Sequence, residues 1–248
     1  MQDDITARTC KALGDSVMSR LAALHFCIVG CGGTGANFAE MLVRTGATRL
    51  TLIDGTTVKG SNLNRVFSFN HADIGKPKVH VLAAYLETIR PGQLDITPLR
   101  ESFRDPDLVS INPEAQRVRD AVHDADVVFI ATDKNTSRRA IQKLHRHSTV
   151  RGMMLSCGVF IDAEKDIYEF ECTWSPATLP EALDIGYGPN NASYAAILLE
   201  ATSVAFTMLL SHLMCPDSDF RYYRRRYDGC LRPVETSLEW ETSSENGP

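Results

Sequence analysis

Asn62, Arg65 and Lys78 share one short stretch, in the runs Ser61-Asn62-Leu63-Asn64-Arg65 and Gly75-Lys76-Pro77-Lys78. An amide, a guanidinium fork and an ammonium can all hold phosphate oxygens, and the two cations answer negative charge directly. Such a set suits a reaction that builds charge on an α-phosphate and on a departing pyrophosphate. Hydride transfer has no use for it. Alone, the stretch reads equally well as a solvated basic loop. What turns it toward phosphate is the glycine-rich run before it.

That run is Gly30-Cys31-Gly32-Gly33-Thr34-Gly35, placed after the apolar stretch His25–Val29. Gly30, Gly32 and Gly35 fit the spacing G-x-G-x-x-G, and Gly33 adds a fourth glycine. Glycines here permit a tight turn and let backbone N–H groups approach phosphate oxygens at a helix N-terminus. The helix is expected to run to about Arg44 and to stop at Gly46. A second strand, Arg49–Ile53, ends in Asp54. This acid lies about 20 residues beyond the last glycine, the place for a carboxylate that holds a ribose hydroxyl. To this point ATP, NAD and FAD fit alike; the polar cluster favours ATP.

The remaining elements must hold that cluster in place. Leu13, Val17 and Leu21 recur at helical spacing within 5–24, so one or two helices open the chain. Arg8 lies in the first and by itself is a solvated charge. A helix over 77–89 carries Lys78 at its start, with Pro77 at the first-turn position. A strand is expected over 94–99, a helix over 112–122, and a fully apolar strand over 126–131, which suits a buried parallel sheet. That last strand leads to Asp133. An acid at the carboxyl end of a parallel strand faces the ligand crevice, so Asp133 is a candidate for Mg²⁺. It serves equally as a helix N-cap, and both roles can coexist.

Strands over 151–157 and 166–172 come next, then a Pro-, Gly- and Asn-rich loop over 173–190. A long apolar helix covers 191–213, and Asp228-Gly229 marks a hairpin between strands at 221–227 and 231–236. The expectation is an α/β fold: a Rossmann-like, mostly parallel sheet flanked by helices, with a C-terminal antiparallel extension. Residues 1–240 form one domain, and 241–248 a polar tail.

The 248 residues suffice for one large core, with 44% hydrophobic and 23% charged residues. A formal net charge of -5 argues against nucleic acid and against an anionic membrane. No secretory signal is read at the N-terminus, and the apolar run near 195–210, interrupted by Glu200, suits a buried helix. Seven cysteines without a Cys-x-x-Cys pair imply no disulfide framework and a reducing, cytoplasmic setting.

Taken together, the glycine run, Asp54, Ser61–Arg65, Gly75–Lys78 and Ala131-Thr132-Asp133 resemble the ThiF/MoeB/HesA family of the ubiquitin-activating superfamily, over about residues 8–160. The resemblance implies that Asp54 holds the ATP ribose and that Gly30, Gly32, Gly33 and Gly35 lie against the nucleotide. It implies that Asn62, Arg65 and Lys78 bind phosphates and stabilise the transition state of adenylation, with Asp133 on Mg²⁺. It also puts Arg8 at the position of an arginine finger donated across a homodimer. Two residues depart from the pattern: Thr56 stands where a second acid is usual, and Val66 where a glutamine is. The zinc-binding cysteine pairs of many members are missing, so no zinc is expected. Cys172 is the best-placed candidate for a thioester cysteine and Cys157 the next, though a buried strand cysteine is the plainer reading of either.

The activity expected from the resemblance is ATP-dependent adenylation of a carboxylate, most naturally the C-terminus of a small ubiquitin-like or sulfur-carrier protein. A short peptide or a tRNA-linked carboxylate is an alternative substrate. A non-catalytic nucleotide-binding subunit beside an active homologue is a further alternative.

Overall fold

The computed structural model describes residues 5–103, 113–132, 152–162, 167–175, 194–216, 218–228 and 230–242, with single positions 137, 140, 141, 143 and 164 between them. The opening segment folds as two short helices, α1 (Ala7–Leu13) and α2 (Asp15–Ala23), separated by Gly14 at φ 82°. Val17 and Leu21 bury one face of α2, as their spacing requires. Strand β1 (His25–Val29) follows and is buried along its whole length. Helix α3 (Gly33–Thr45) returns from it and ends at Gly46, whose φ of 125° closes the last turn. Then come β2 (Arg49–Ile53), α4 (Lys78–Ile89), β3 (Asp95–Leu99), α5 (Pro113–Asp124) and β4 (Val127–Ile130). The second half holds β5 (Met153–Asp162), β6 (Ile167–Ser175), α6 (Ala195–Met214), β7 (Ser218–Tyr227) and β8 (Pro233–Thr242).

One sheet joins all eight strands in the order β3-β2-β1-β4-β5-β6-β7-β8. Pairing is parallel from β3 to β5 and antiparallel from β5 to β8. The chain order reverses beside β1, between β2 and β4. In an open parallel sheet that switch leaves a crevice at the strand carboxyl ends, where ligands bind. Gly30 and Asp54 sit there, directly after β1 and β2.

Helices α3 and α6 cover one side of the sheet, and Phe38 stacks on Phe129 with ring centroids 3.9 Å apart. Phe206 of α6 meets Phe38 edge-on at 5.7 Å. Each such fully buried aromatic ring contributes roughly 2–3 kcal/mol through area removed from water. Helix α5 covers the other side, through Val118 and Val122 against Cys27, Val29, Val128 and Ile130. By length and composition α6 could cross a membrane, yet half of its apolar window is buried against the sheet and its neighbours.

The antiparallel half is longer than its sequence suggests. Gly158 does not end β5; it sits opposite Glu171, and the ladder with β6 continues to Asp162. Strand β6 likewise runs past Cys172 to Ser175. The turn between β7 and β8 is wider than Asp228-Gly229 alone. The Asp228 N–H donates to the Arg232 carbonyl at 3.0 Å, and the Asp228 carboxylate accepts the N–H groups of Cys230 and Arg232 at 2.9 Å each. Strand β8 reaches Thr242, inside the segment expected to be tail; positions 243–248 lie outside the described residues.

Candidate active site

The four glycines of the turn perform different tasks. Gly30 has φ 100°, and a Cβ there would come within 2.7 Å of the Ala131 carbonyl oxygen. A Cβ at Gly35 would collide with the carbonyl oxygen of Gly30. These two let α3 pack against β1 and the end of β4. A Cβ at Gly33 would come within 2.7 Å of Leu198 Cδ1 and 3.3 Å of Arg65 Cδ, so α6 and the polar loop both close on the start of α3. Gly32 differs: its φ is −88°, and a Cβ there would meet nothing within 4 Å. Gly32 is the residue capping α3, so this open approach leads to the positive end of a helix. The backbone therefore fits a nucleotide phosphate.

Asp54 lies at the centre of the crevice. Its Oδ2 accepts the Cys31 N–H at 2.9 Å, which ties the carboxylate to the glycine turn. Its Oδ1 accepts both the N–H and the hydroxyl of Thr56, at 2.8 and 2.6 Å. Lys78 Nζ lies 3.9 Å from Oδ2, and the two side chains keep only 13% and 10% of their exposure. Helix α4 delivers that ammonium because its entry is pinned. Thr57 bridges to Pro77, the Thr56 carbonyl accepts from Lys78 N–H at 3.2 Å, and the Val58 N–H donates to the Lys76 carbonyl at 2.9 Å.

The polar loop forms a 3₁₀ turn at Gly60–Asn62. Asn62 is buried, and its Oδ1 accepts the Lys59 N–H at 2.9 Å, so its acceptor end shapes the loop. The Arg65 stem lies over Gly33, while its guanidinium bonds to the Ser61 carbonyl and to Asn64 Oδ1, the latter at 2.8 Å. Asn37, buried on α3, donates from Nδ2 to the Arg65 carbonyl at 3.1 Å. Val66, next along the chain, is fully buried in the core.

Arg8 does not join this cluster within one chain. Its neighbour Thr6 packs toward Gly46, at the opposite end of α3 from Gly33. A helix of that length puts about 18 Å between the two ends. Asp133 lies outside the described residues, and among those residues no group of three acids, histidines or cysteines could hold a metal.

Cys172 is fully buried, donates to the Ala201 carbonyl at 3.2 Å and faces Cys157 with sulfurs 3.7 Å apart. Burial, then the neighbouring Cys157, pushes its thiol well above the ordinary range. The thiolate needed for a thioester is disfavoured there, in keeping with the plainer reading of Cys172 as a buried strand cysteine. Cys31, beside Asp54, is raised by burial and by that carboxylate.

The sequence points to Gly30, Gly32, Gly33, Gly35, Asp54, Asn62, Arg65 and Lys78 as one site. The structure sets Asp54 and Lys78 side by side next to the glycine turn and lays the Arg65 stem over Gly33, while the Asn62 acceptor and the Arg65 guanidinium turn to their own loop. Sequence reasoning misses Asn37 and the bond from Thr56 to Asp54. Asn37 carried a signal: an amide between Ala36 and Phe38 on the buried side of α3. Thr56 carried none beyond being a departure.

The likenesses to known proteins follow the same elements. Molybdopterin-synthase adenylyltransferase of Escherichia coli is 35% identical over 100 residues, covering 40% of this chain and 40% of that enzyme. The tRNA threonylcarbamoyladenosine dehydratase of E. coli is 36% identical over 83 residues, 34% of this chain and 31% of the other. Ubiquitin-like modifier-activating enzyme ATG7 of Saccharomyces cerevisiae is 32% identical over 116 residues, 45% and 18% respectively. The matched segment thus spans less than half of each of these relatives. The fold matches the crystal structure of E. coli MccB with ATP at a TM-score of 0.68 and 16% identity, over 98% of this chain and 73% of that one. The ThiF family profile matches residues 6–174, from α1 through β6 and across the whole crevice, and the chain belongs to the ThiF family.

Proposed function

We propose that this chain is an ATP-dependent adenylyltransferase. A substrate carboxylate oxygen attacks the α-phosphorus of ATP, the bond to the β-phosphate oxygen breaks, and pyrophosphate leaves from an acyl-adenylate. The observation that carries this reading is the convergence of Lys78, Asp54 and the Arg65 stem on the turn at Gly32–Gly33. Lys78 meets the charge that grows on the α-phosphate, and Arg65, freed from its own loop, meets the pyrophosphate. Asp54 takes the ribose, and the amide of Asn62 supports the phosphates. Holding the carboxylate in line supplies much of the rate through positioning. Asp133 would hold the Mg²⁺ that accompanies ATP.

The preferred substrate is the C-terminal carboxylate of a small ubiquitin-like or sulfur-carrier protein. The likeness to a ubiquitin-like modifier-activating enzyme and to an adenylyltransferase supports it. A tRNA-linked carboxylate is the second reading, favoured by the likeness to tRNA threonylcarbamoyladenosine dehydratase and opposed by the net charge of -5. Arg8 acts in trans, as the finger of a second copy in a homodimer, because α1 is remote from its own crevice. The setting is cytoplasmic, in keeping with seven free thiols.

Mass spectrometry of the chain incubated with ATP, Mg²⁺ and small ubiquitin-like proteins tests this. An AMP adduct on the partner's C-terminus is expected. ATP binding with no adduct on any protein, peptide or tRNA carboxylate would instead mark a non-catalytic nucleotide-binding subunit.

A further inference from the structure

We propose that Thr56 reads the nucleotide's ribose together with Asp54, each taking one hydroxyl. This rests on the assignment of Asp54 to the ribose. A carboxylate offers about four acceptor positions. In Asp54 the Thr56 N–H and the Thr56 hydroxyl fill Oδ1, at 2.8 and 2.6 Å, and the Cys31 N–H takes one position on Oδ2 at 2.9 Å. Among the described residues these are its hydrogen-bond donors, so one position remains, on the oxygen that faces Lys78. Asp54 can therefore accept a single ribose hydroxyl, and the adjacent hydroxyl of the diol needs another acceptor within reach.

Thr56 supplies it. Its hydroxyl proton is committed to Asp54, which leaves the Oγ1 lone pairs as acceptors beside the carboxylate. The arrangement is polarised: the bond to a charged oxygen makes Oγ1 the better acceptor for the next donor in the chain. The backbone of Thr56 is held as well, since its carbonyl accepts from Lys78 at the head of α4. Oγ1 is thus fixed between the ribose carboxylate and the helix that delivers the phosphate-binding ammonium. Position 56 thus presents a neutral acceptor that depends on Asp54 for its orientation.

The test is calorimetric binding of ATP, 2′-deoxyATP and 3′-deoxyATP, each with Mg²⁺, to the full chain and its Thr56→Val, Thr56→Ala and Thr56→Ser variants. The unaltered chain should bind each deoxynucleotide about tenfold more weakly than ATP, the equivalent of one net hydrogen bond. In Thr56→Val, ATP should weaken about tenfold, and one of the two deoxynucleotides should bind as well as ATP does. Thr56→Ala should behave likewise should the valine variant fail to fold, and Thr56→Ser should retain the discrimination. Full discrimination against both deoxynucleotides in the valine or alanine variant overturns the role of Thr56 while leaving the nucleotide site intact. Failure of the unaltered chain to bind ATP at all overturns the site assignment itself, and this inference with it.

Discussion

Lys78 Nζ and Asp54 Oδ2 lie 3.9 Å apart, both largely shielded from water, and neither belongs to a strand or helix interior. Asp54 follows the last residue of β2, and Lys78 is the first residue of α4. Two element ends thus present an anion and a cation to the space above the glycine turn. A purely structural ion pair would gain little here, because an approach at 3.9 Å lacks a short hydrogen bond and desolvation opposes it. The same pair suits a ligand that brings both hydroxyl donors and phosphate anions.

Lys78→Ala should lower adenylation by about 100-fold or more, the usual loss when a charge-stabilising donor is removed. Its effect on stability should stay within about 1 kcal/mol, because Asp54 keeps the N–H groups of Cys31 and Thr56 and the Thr56 hydroxyl as partners. Steady-state kinetics beside urea denaturation would check both. A protein that unfolds with the substitution would show the lysine to be structural.

The glycines should separate into two groups. Gly32→Ala should leave the thermal midpoint nearly unchanged, since its φ is ordinary and its Cβ meets nothing within 4 Å, yet it should weaken ATP binding. Gly35→Ala drives a methyl group into the Gly30 carbonyl and should cost about 3 kcal/mol or more. Thermal melts with calorimetric ATP titration would distinguish them.

Strands β1 and β2, α3 and the placing of Asp54 after β2 were legible because apolar runs, glycine spacing and one terminal carboxylate all act locally. The extent of β5 was not, because Gly158 looks like a stop and only its partner Glu171 keeps it in the ladder. Arg8 could be aligned by spacing, yet its distance from Gly33 depends on how α1 packs at the far end of α3. The hydroxyl of Thr56 shows its partner only once two loop residues are placed 2.6 Å apart.

His25 gives a pH dependence. Its Nε2 pairs with Thr51 Oγ1 at 2.9 Å, inside the sheet. Burial first, then the Arg49 cation, lowers its pKa below the ordinary 6.5. The unfolded chain therefore takes up the proton more readily, so the stabilisation is full above pH 6.5 and is lost as pH falls toward the folded value. The thermal midpoint should drop below about pH 6.5, and less steeply in His25→Gln. Identical slopes would remove the assignment.

Cysteine labelling of the native chain by iodoacetamide should modify the exposed Cys215 and Cys230 and spare Cys27, Cys31, Cys157 and Cys172, which are buried. Cys172→Ala should keep full adenylate formation. Rapid labelling of Cys172 in the native chain, located by peptide mass spectrometry, would restore it as a thioester candidate.

The most direct measurement is ATP–pyrophosphate exchange, with and without small ubiquitin-like proteins bearing a free C-terminal carboxylate. Exchange should depend on such a partner and fall by about 100-fold or more in both Lys78→Ala and Arg65→Ala. Exchange that proceeds unchanged in both variants would contradict the assignment of this crevice to carboxylate adenylation.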